Sequence, residues 1–168
     1  MINIRKAEES DLESLSQLAQ LCFIDTFGNL YTKENLFTHL QETCSVEYFR
    51  KNILEDQILL AENDSLVGYI KFGDVGLPLD NIPEKSKEIQ RLYIHPDFKR
   101  KHIGSKLMQL AFEDPILQES KHHYLSVYED NIDAQKFYQN YGFSIVGEYD
   151  YYVGSHIDRE YIMHRKNS

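Results

Sequence analysis

The sequence contains no tryptophan, four prolines and only two cysteines among its 168 residues. Cys22 and Cys44 lie in unrelated contexts without CxxC or Cys–His spacing, so we expect two reduced thiols and neither a disulfide nor a zinc site. No apolar run approaches the ~20 residues that span a bilayer, and the first residues do not resemble a signal peptide. We therefore expect a soluble cytoplasmic protein that holds no metal.

The chain also lacks repeats, low-complexity runs and linkers rich in Gly, Ser or Pro, so we expect one domain over residues 1–168. The formal net charge of −9 argues against a general nucleic-acid binder, because duplex binding depends on clustered Lys and Arg. An acidic surplus fits a cationic small substrate, although it more often serves solubility alone. Neither a nucleic acid nor a membrane is an expected partner.

The apolar pattern predicts an α/β fold. A short strand begins the chain, and helices follow, two of them starting at the N-cap candidates Thr32 and Ser45. Apolar, β-favouring runs at residues 57–62 and 66–72 predict a hairpin, and residues 88–94 a further strand. A helix, a strand, a helix and a closing hairpin complete the order. The β–α–β crossovers imply some parallel pairing within a mixed sheet.

A basic loop separates the strand at residues 88–94 from the helix that begins near Gly104. Lys99, Arg100 and Lys101 carry three formal positive charges in a protein that is net negative. A helix N-terminus has free amides and about half a positive charge, so it can bind an anion. Gly104 would let the backbone approach a pyrophosphate closely. A solvated basic turn explains the same residues equally well.

A second informative segment covers residues 127–143. Asn131 is a good N-cap for a helix, and Gly142 is a good C-cap. The packed side of that helix is predicted to consist of Ala134, Phe137, Tyr138 and Tyr141. A capped helix with an aromatic core stripe accounts for each of these residues, but not for the interval between this segment and the basic loop.

Together the two segments resemble the GCN5-related N-acetyltransferase (GNAT) superfamily. Residues 92–96 read LYIHP, like the L-Y-V-x-P strand that precedes motif A, and residues 99–104 read KRKHIG in place of Q/R-x-x-G-x-G/A. His102 thus replaces the first glycine, which is tolerable where φ is negative. Motif B, N-x-x-A-x-x-F-Y-x-x-x-G-F, is met at Asn131, Ala134, Phe137, Tyr138, Gly142 and Phe143.

The resemblance implies a central, mostly antiparallel mixed sheet with a splayed parallel strand pair, flanked by helices. It implies acetyl-CoA as co-substrate, with its pantetheine arm in the gap between the splayed strands, and it makes a homodimer a reasonable expectation. The tyrosines of the closing strands could supply that interface or belong to the core. The residues that the resemblance assigns to acetyl-CoA are Leu92, Tyr93, Ile94, Lys99, Arg100, Lys101, His102, Ile103, Gly104, Ser105, Asn131, Ala134 and Tyr138.

The reaction implied by the resemblance is direct attack of an amine on the acetyl thioester, which needs no nucleophilic side chain. Tyr138 is the predicted general acid for the departing thiolate. Glu88, eleven residues before Lys99, is the predicted base acting through water, and Glu129 is the alternative. Desolvation or a neighbouring carboxylate could raise either pKa towards the working range. Glu88, Glu129 and water alone all remain open as the base.

A finer resemblance, to polyamine N-acetyltransferases of the PaiA type, rests on residues 23–28 (FIDTFG), Tyr31 and tail positions that include Asp158. It implies a polyamine acceptor such as spermidine or spermine, with Phe27 and Tyr31 as substrate contacts. Core packing explains the same aromatic residues. The alternatives are a protein or peptide N-acetyltransferase, and a non-catalytic acyl-CoA-binding or interaction module with the same fold.

Overall fold

A computed structural model describes residues 1–168 and shows a seven-stranded sheet in the order β1-β2-β3-β4-β5-β7-β6. Only the β4–β5 pair is parallel, which confirms the predicted mixed, mostly antiparallel sheet. The strands are β1 (Asn3–Lys6), β2 (Gln57–Glu62), β3 (Leu66–Gly73), β4 (Ser86–Ile94), β5 (His122–Tyr128), β6 (Ser144–Val153) and β7 (His156–Lys166).

Helices cover both faces of the sheet. Leu15 and Phe49 pack with Tyr69 in the core beneath α1–α3, whereas Leu107 and Met108 belong to the core on the opposite face. None of the helices combines the length and apolarity that a membrane span requires. The helices are α1 (Leu12–Phe27), α2 (Lys33–Thr43), α3 (Val46–Glu55), α4 (Ile103–Glu113), α5 (Pro115–Gln118) and α6 (Ile132–Gln139).

Local signals in the sequence set several of these boundaries. The hydroxyl of Thr32 accepts from Asn35 N at 3.1 Å, and that of Ser45 accepts from Tyr48 N at 3.1 Å, which confirms both N-caps. Helix α6 ends at Gln139, two residues earlier than predicted. Gly142 has φ +92°, and the bonds Gly142 N→Gln139 O and Phe143 N→Tyr138 O form a Schellman motif.

The parallel pair separates after a short contact, which creates the main opening in the sheet. Ser86 to Glu88 of β4 pair with His122 to Tyr124 of β5, and the pairing stops there. On the other edge of β4 the register with β3 shifts between Arg91 and Ile89, so Gln90 is the extra residue of a β-bulge. The bulge bends β4 away from β5, and this confirms the predicted splay.

Candidate active site

The gap between β4 and β5 opens into a cleft of about 610 Å³, called the splay cleft below. Its walls combine the second halves of both strands with the start of α6. The structure therefore brings the basic loop and the capped aromatic helix to one site. Of the residues predicted to bind acetyl-CoA, those in the cleft walls are Leu92, Tyr93, Ile94, Lys99, Arg100, Gly104, Asn131, Ala134 and Tyr138.

The loop before α4 presents a run of free backbone N–H groups. No N–H from residue 99 to residue 105 donates a hydrogen bond within the chain, and the first helical bond is Lys106 N→His102 O at 3.1 Å. Arg100 and His102 adopt left-handed conformations, with φ +63° and +61°. The condition set for tolerating histidine at this position, a negative φ, is therefore not met at His102; histidine is nevertheless among the residues that tolerate the left-handed region. Such a run of N–H groups is typical of anion sites.

The side chains of the loop differ in their exposure, in their partners and in whether they line the cleft. Lys99 Nζ lies 3.0 Å from Asp25 Oδ2, and Arg100 is exposed without an ion pair. Lys101 lies outside the splay cleft, with Nζ 5.1 Å from the centre of the Phe98 ring. Ile103 is buried in the core, so only its backbone can face an anion. His102 and Ser105 line a smaller cavity that adjoins the cleft at Gly104.

Packing within the chain does not require a glycine at position 104. A Cβ there would lie 3.7 Å from Phe137 Cζ and 4.0 Å from Leu92 Cδ2, which are ordinary contacts. A methyl group would thus fit against the protein but would project towards the cleft residues. The glycine leaves space beside the backbone at the cleft.

The α6 side of the cleft carries the predicted acid. Asn131 Oδ1 accepts from Ala134 N at 3.2 Å, which confirms the N-cap and leaves the Asn131 amide N–H groups free. The Tyr138 hydroxyl makes no hydrogen bond within the chain, and burial raises the pKa of Tyr138 to about 12. Tyr138 therefore keeps its proton throughout the neutral range.

A second cavity of about 140 Å³, called the acceptor pocket below, lies between the sheet and α1–α2. Both predicted substrate residues, Phe27 and Tyr31, line it. Phe23, His39, Tyr151 and Asp158 belong to its wall as well. The residues shared by its wall and the wall of the splay cleft are Phe27, Gln90, Arg91, Tyr93, Ser126, Tyr128 and Glu160.

Two carboxylates of β7 line the acceptor pocket. Asp158 is buried and accepts from the Tyr31 hydroxyl and from His156 Nε2, the latter at 2.9 Å. Glu160 has no hydrogen-bonding partner, and burial, with a smaller contribution from Asp158, raises the pKa of Glu160 to about 8. Glu160 was not predicted as a site residue from the sequence. Acidic residues two apart on a strand share one face, and this spacing is the signal that could have identified it.

Arg91 is a second pocket residue that was not predicted from the sequence. Its guanidinium lies 4.5 Å from the centre of the Tyr48 ring and 5.8 Å from that of Phe49, and its Nη1 lies 4.0 Å from Cys44 Sγ; it has no carboxylate partner. Burial together with the Arg91 charge lowers the pKa of His39 to about 4, so His39 is neutral at physiological pH. The acceptor pocket thus contains one permanent cation as well as two carboxylates.

The two predicted bases lie away from both cavity walls. Glu88 is buried below the point where β4 and β5 separate, and its Oε1 accepts from Gly76 N at 2.9 Å. Burial raises the pKa of Glu88 to about 7. Glu129 follows β5, and its carbonyl accepts from Gln135 Nε2 at 2.8 Å. Neither carboxylate is a wall residue of the splay cleft or of the acceptor pocket.

Comparison with known proteins identifies the family to which the chain belongs. A sequence model of the acetyltransferase (GNAT) family matches residues 13–143. A spermidine N(1)-acetyltransferase of Thermoplasma acidophilum is 28% identical over 151 residues, covering 86% of this chain and 89% of the relative. A spermine/spermidine N(1)-acetyltransferase of Bacillus subtilis is 26% identical over 130 residues, covering 73% and 82%. The crystal structure of PaiA N-acetyltransferase from T. acidophilum in complex with coenzyme A superposes with TM-score 0.79 at 26% identity, over 99% of both chains.

Proposed function

The chain belongs to the acetyltransferase (GNAT) family, and on that premise we propose that it transfers the acetyl group of acetyl-CoA to a primary amine of a polyamine such as spermidine or spermine. The observation that carries this proposal is the meeting of two cavities at the splay of β4 and β5. One has an anion-binding loop at its mouth, and the other has carboxylates and aromatic rings in its wall. A thioester and an amine could therefore meet at their junction.

The splay cleft fits acetyl-CoA, which would supply the acetyl thioester. Because pairing with β5 stops at Glu88, the edge of β4 that faces the gap is free beyond it. The backbone of Leu92 and Ile94, with Tyr93 between them, would bind the pantetheine amides. The free N–H groups of residues 99–105 would hold the pyrophosphate, and Asn131 and Ala134 would line the thioester end.

The acid and base of the reaction have unequal support. Tyr138 lies in the cleft wall with a free, protonated hydroxyl, so it can donate a proton to the departing thiolate. Glu88 has a pKa suited to a base, but it could reach the cleft only through bound water. Glu129 also lies off the wall and would need the same help.

The acceptor pocket supports a small cationic amine. A carboxylate binds an ammonium group through charge-assisted hydrogen bonds, and aromatic faces attract cations. Asp158 supplies a carboxylate, Glu160 supplies a carboxyl group with a pKa of about 8, and Phe27, Tyr31 and Tyr128 supply rings. Relatives named for spermidine and spermine acetylation favour polyamines among such amines.

Arg91 favours a second acceptor class, an amine that also bears a carboxylate. Its guanidinium lines the pocket without an anionic partner. A guanidinium is suited to bind a carboxylate in two parallel hydrogen bonds. A free polyamine would offer Arg91 no such partner.

Release of free CoA from acetyl-CoA, followed with each acceptor, tests the function and separates the classes. We expect spermidine to give the highest kcat/KM, above 4-aminobutyrate and above the N-terminal amine of a short peptide. A preference for 4-aminobutyrate would move the assignment to the second class, and a preference for the peptide would make the chain a peptide N-acetyltransferase. Acetyl-CoA binding with no acceptor consumed would favour the non-catalytic module.

Two further expectations belong to this proposal. We propose that the enzyme acts in the cytoplasm, where its buried free thiols Cys22 and Cys44 would stay reduced.

We also propose a homodimer through the edge hairpin β6–β7, where Ile145, Val146 and Ile157 are exposed. Of the closing-strand tyrosines, only Tyr152 is exposed there, at 62%; Tyr149, Tyr151 and Tyr161 are half-buried. Sedimentation of the wild type against Val146→Lys, which should favour monomer, tests this assembly.

A further inference from the structure

We propose that Glu160 is the catalytic base that takes the proton from the acceptor ammonium. This inference rests on the proposed amine acetyltransferase function and deepens it, because it assigns the step for which Glu88 and Glu129 are poorly placed.

Glu160 lies where the amine and the thioester would meet. Within the sheet it pairs with Tyr128 of β5 on one side and with Tyr149 of β6 on the other. It lines both the acceptor pocket and the splay cleft. The other wall carboxylates, Asp158 and Asp133, each line only one of the two cavities. Glu160 is therefore the carboxylate best placed at the junction.

The carboxylate of Glu160 is free to accept a proton. Asp158, two residues earlier on the same face, is already engaged by Tyr31 and His156, whereas Glu160 has no hydrogen-bonding partner. Burial and the Asp158 charge both favour the protonated form, which sets the pKa of Glu160 at about 8. The titratable and charged groups that line the acceptor pocket, pair with Glu160 or contact Asp158 are Tyr31, His39, Cys44, Tyr69, Arg91, Tyr93, Tyr128, Tyr149, Tyr151, His156 and Asp158.

Glu160 and Tyr138 together account for every proton that moves in the reaction. Glu160 takes one proton from the ammonium, directly or through one water, and frees the nitrogen lone pair. The nitrogen forms the new C–N bond with the acetyl carbon, the C–S bond breaks, and the sulfur leaves with the electron pair. Tyr138 gives the sulfur a proton and recovers one from the acetylated nitrogen. Glu160 finally releases its proton to solvent, so acetyl amide, CoA thiol and one proton are formed.

The test is the pH dependence of kcat/KM for spermidine in wild type and Glu160→Gln. Wild type should lose activity below a pKa of about 8, because the base is then protonated. Glu160→Gln should lower kcat/KM by ~10²-fold, within the range of general base catalysis. Its residual rate should keep rising with pH towards the pKa of the amine itself, because only amine already neutral in solution would react.

Two matched variants sharpen the comparison. Glu88→Gln removes the buried carboxylate outside the cleft. We expect the kcat/KM of this variant still to fall below about pH 8, as in wild type. Glu148→Gln removes an exposed carboxylate of β6 that pairs with Arg159 at 2.8 Å, and it should match wild type. If the fall in kcat/KM below about pH 8 disappeared in Glu88→Gln and persisted in Glu160→Gln, Glu88 would be the base and the proposal would be overturned.

Thermal stability gives a second readout that does not depend on turnover. The pKa of Glu160 is raised from 4.5 to about 8 in the folded chain, so the folded state binds the proton more tightly than the unfolded state. The contribution of Glu160 to stability therefore falls as the pH rises from about 4.5 to about 8, and this contribution should vanish in Glu160→Gln. An active wild type whose pH–rate and pH–stability profiles match those of Glu160→Gln would overturn the assignment. A wild type inactive on every amine would instead contradict the proposed function.

Discussion

The splay cleft and the acceptor pocket meet at one junction but present different chemistry. The mouth of the cleft offers mainly backbone, with free N–H groups over residues 99–105 and a glycine at position 104. The acceptor pocket offers side chains: two carboxylates, a guanidinium and a set of aromatic rings. A backbone site should respond to added bulk or altered φ, and a side-chain site to the loss of single functional groups. Substitutions in the two regions should therefore have different signatures.

Tyr138 should give the largest effect, because it is a cleft residue that acts through a functional group. Tyr138→Phe keeps the ring packing but removes the proton donor for the thiolate. We expect turnover to fall at least tenfold, within the ~10²–10⁴-fold range of acid–base catalysis, with acetyl-CoA affinity unchanged. Steady-state kinetics and calorimetry on the same preparation check both parts. Wild-type turnover at the optimal pH would remove Tyr138 from the mechanism.

Asp158 tests the side-chain character of the acceptor pocket. Asp158→Asn removes a buried charge that would bind the ammonium, and a charge-assisted hydrogen bond contributes about 1.5–3 kcal/mol. We therefore expect KM for spermidine to rise by about tenfold or more, with the dissociation constant of acetyl-CoA unchanged. Asp150→Asn is the control, because Asp150 is exposed and pairs with Arg159 at 3.2 Å. Equal KM values for both variants would show that Asp158 serves only the fold.

Gly104 tests the backbone character of the cleft. Gly104→Ala should leave the fold at least as stable, because the new Cβ makes only ordinary contacts and alanine favours a helix by up to ~1 kcal/mol. Acetyl-CoA affinity should nevertheless fall by about tenfold, equivalent to 1.4 kcal/mol, because the methyl group occupies the approach to the loop. Gln109→Ala, at an exposed position of α4, is the control for helix propensity. Tight binding by a stabilised Gly104→Ala would mean that no ligand approaches there.

His102 should give the smallest effect and sharpens the same point. Its φ of +61° is one that glycine adopts without strain, and the N–H of residue 102 is present in either case. His102→Gly should therefore change acetyl-CoA affinity by no more than about twofold, within the flexibility cost of one glycine. A loss of tenfold or more in a calorimetric titration would show that the imidazole itself binds the cofactor.

The two regions also differ in how far the sequence predicts them. The cleft residues fall in two short segments, and local rules place them: Asn131 caps α6 as predicted, and Gly142 forms the turn after it, although the helix itself ends at Gln139. The left-handed φ of His102 was not predicted, because histidine tolerates that region without requiring it and so does not indicate it in a sequence. The element order and the parallel pair followed from the apolar pattern and the crossovers.

The acceptor pocket is assembled from α1, α2 and five strands, so no single segment of the sequence predicts it. Charged residues within strands, such as Arg91 and Glu160, have the same sequence signature whether they face solvent or a cavity. The β-favouring pattern correctly placed Glu88 on a strand, and its spacing from Lys99 suggested a base, but its carboxylate accepts from the backbone N–H of Gly76, in the loop before β4, and does not line the cleft. That contact depends on tertiary structure, which spacing cannot predict.

Calorimetric titration of the purified protein with acetyl-CoA tests the central claim most directly, before any acceptor is chosen. The free N–H groups of the loop and the open edge of β4 predict binding at one site per chain in the micromolar range, with CoA as a competitor. No heat, and no competition by CoA at millimolar concentration, would mean that the loop is an ordinary basic turn. In that case the two cavities would not form the active site of an acetyl-CoA-dependent enzyme.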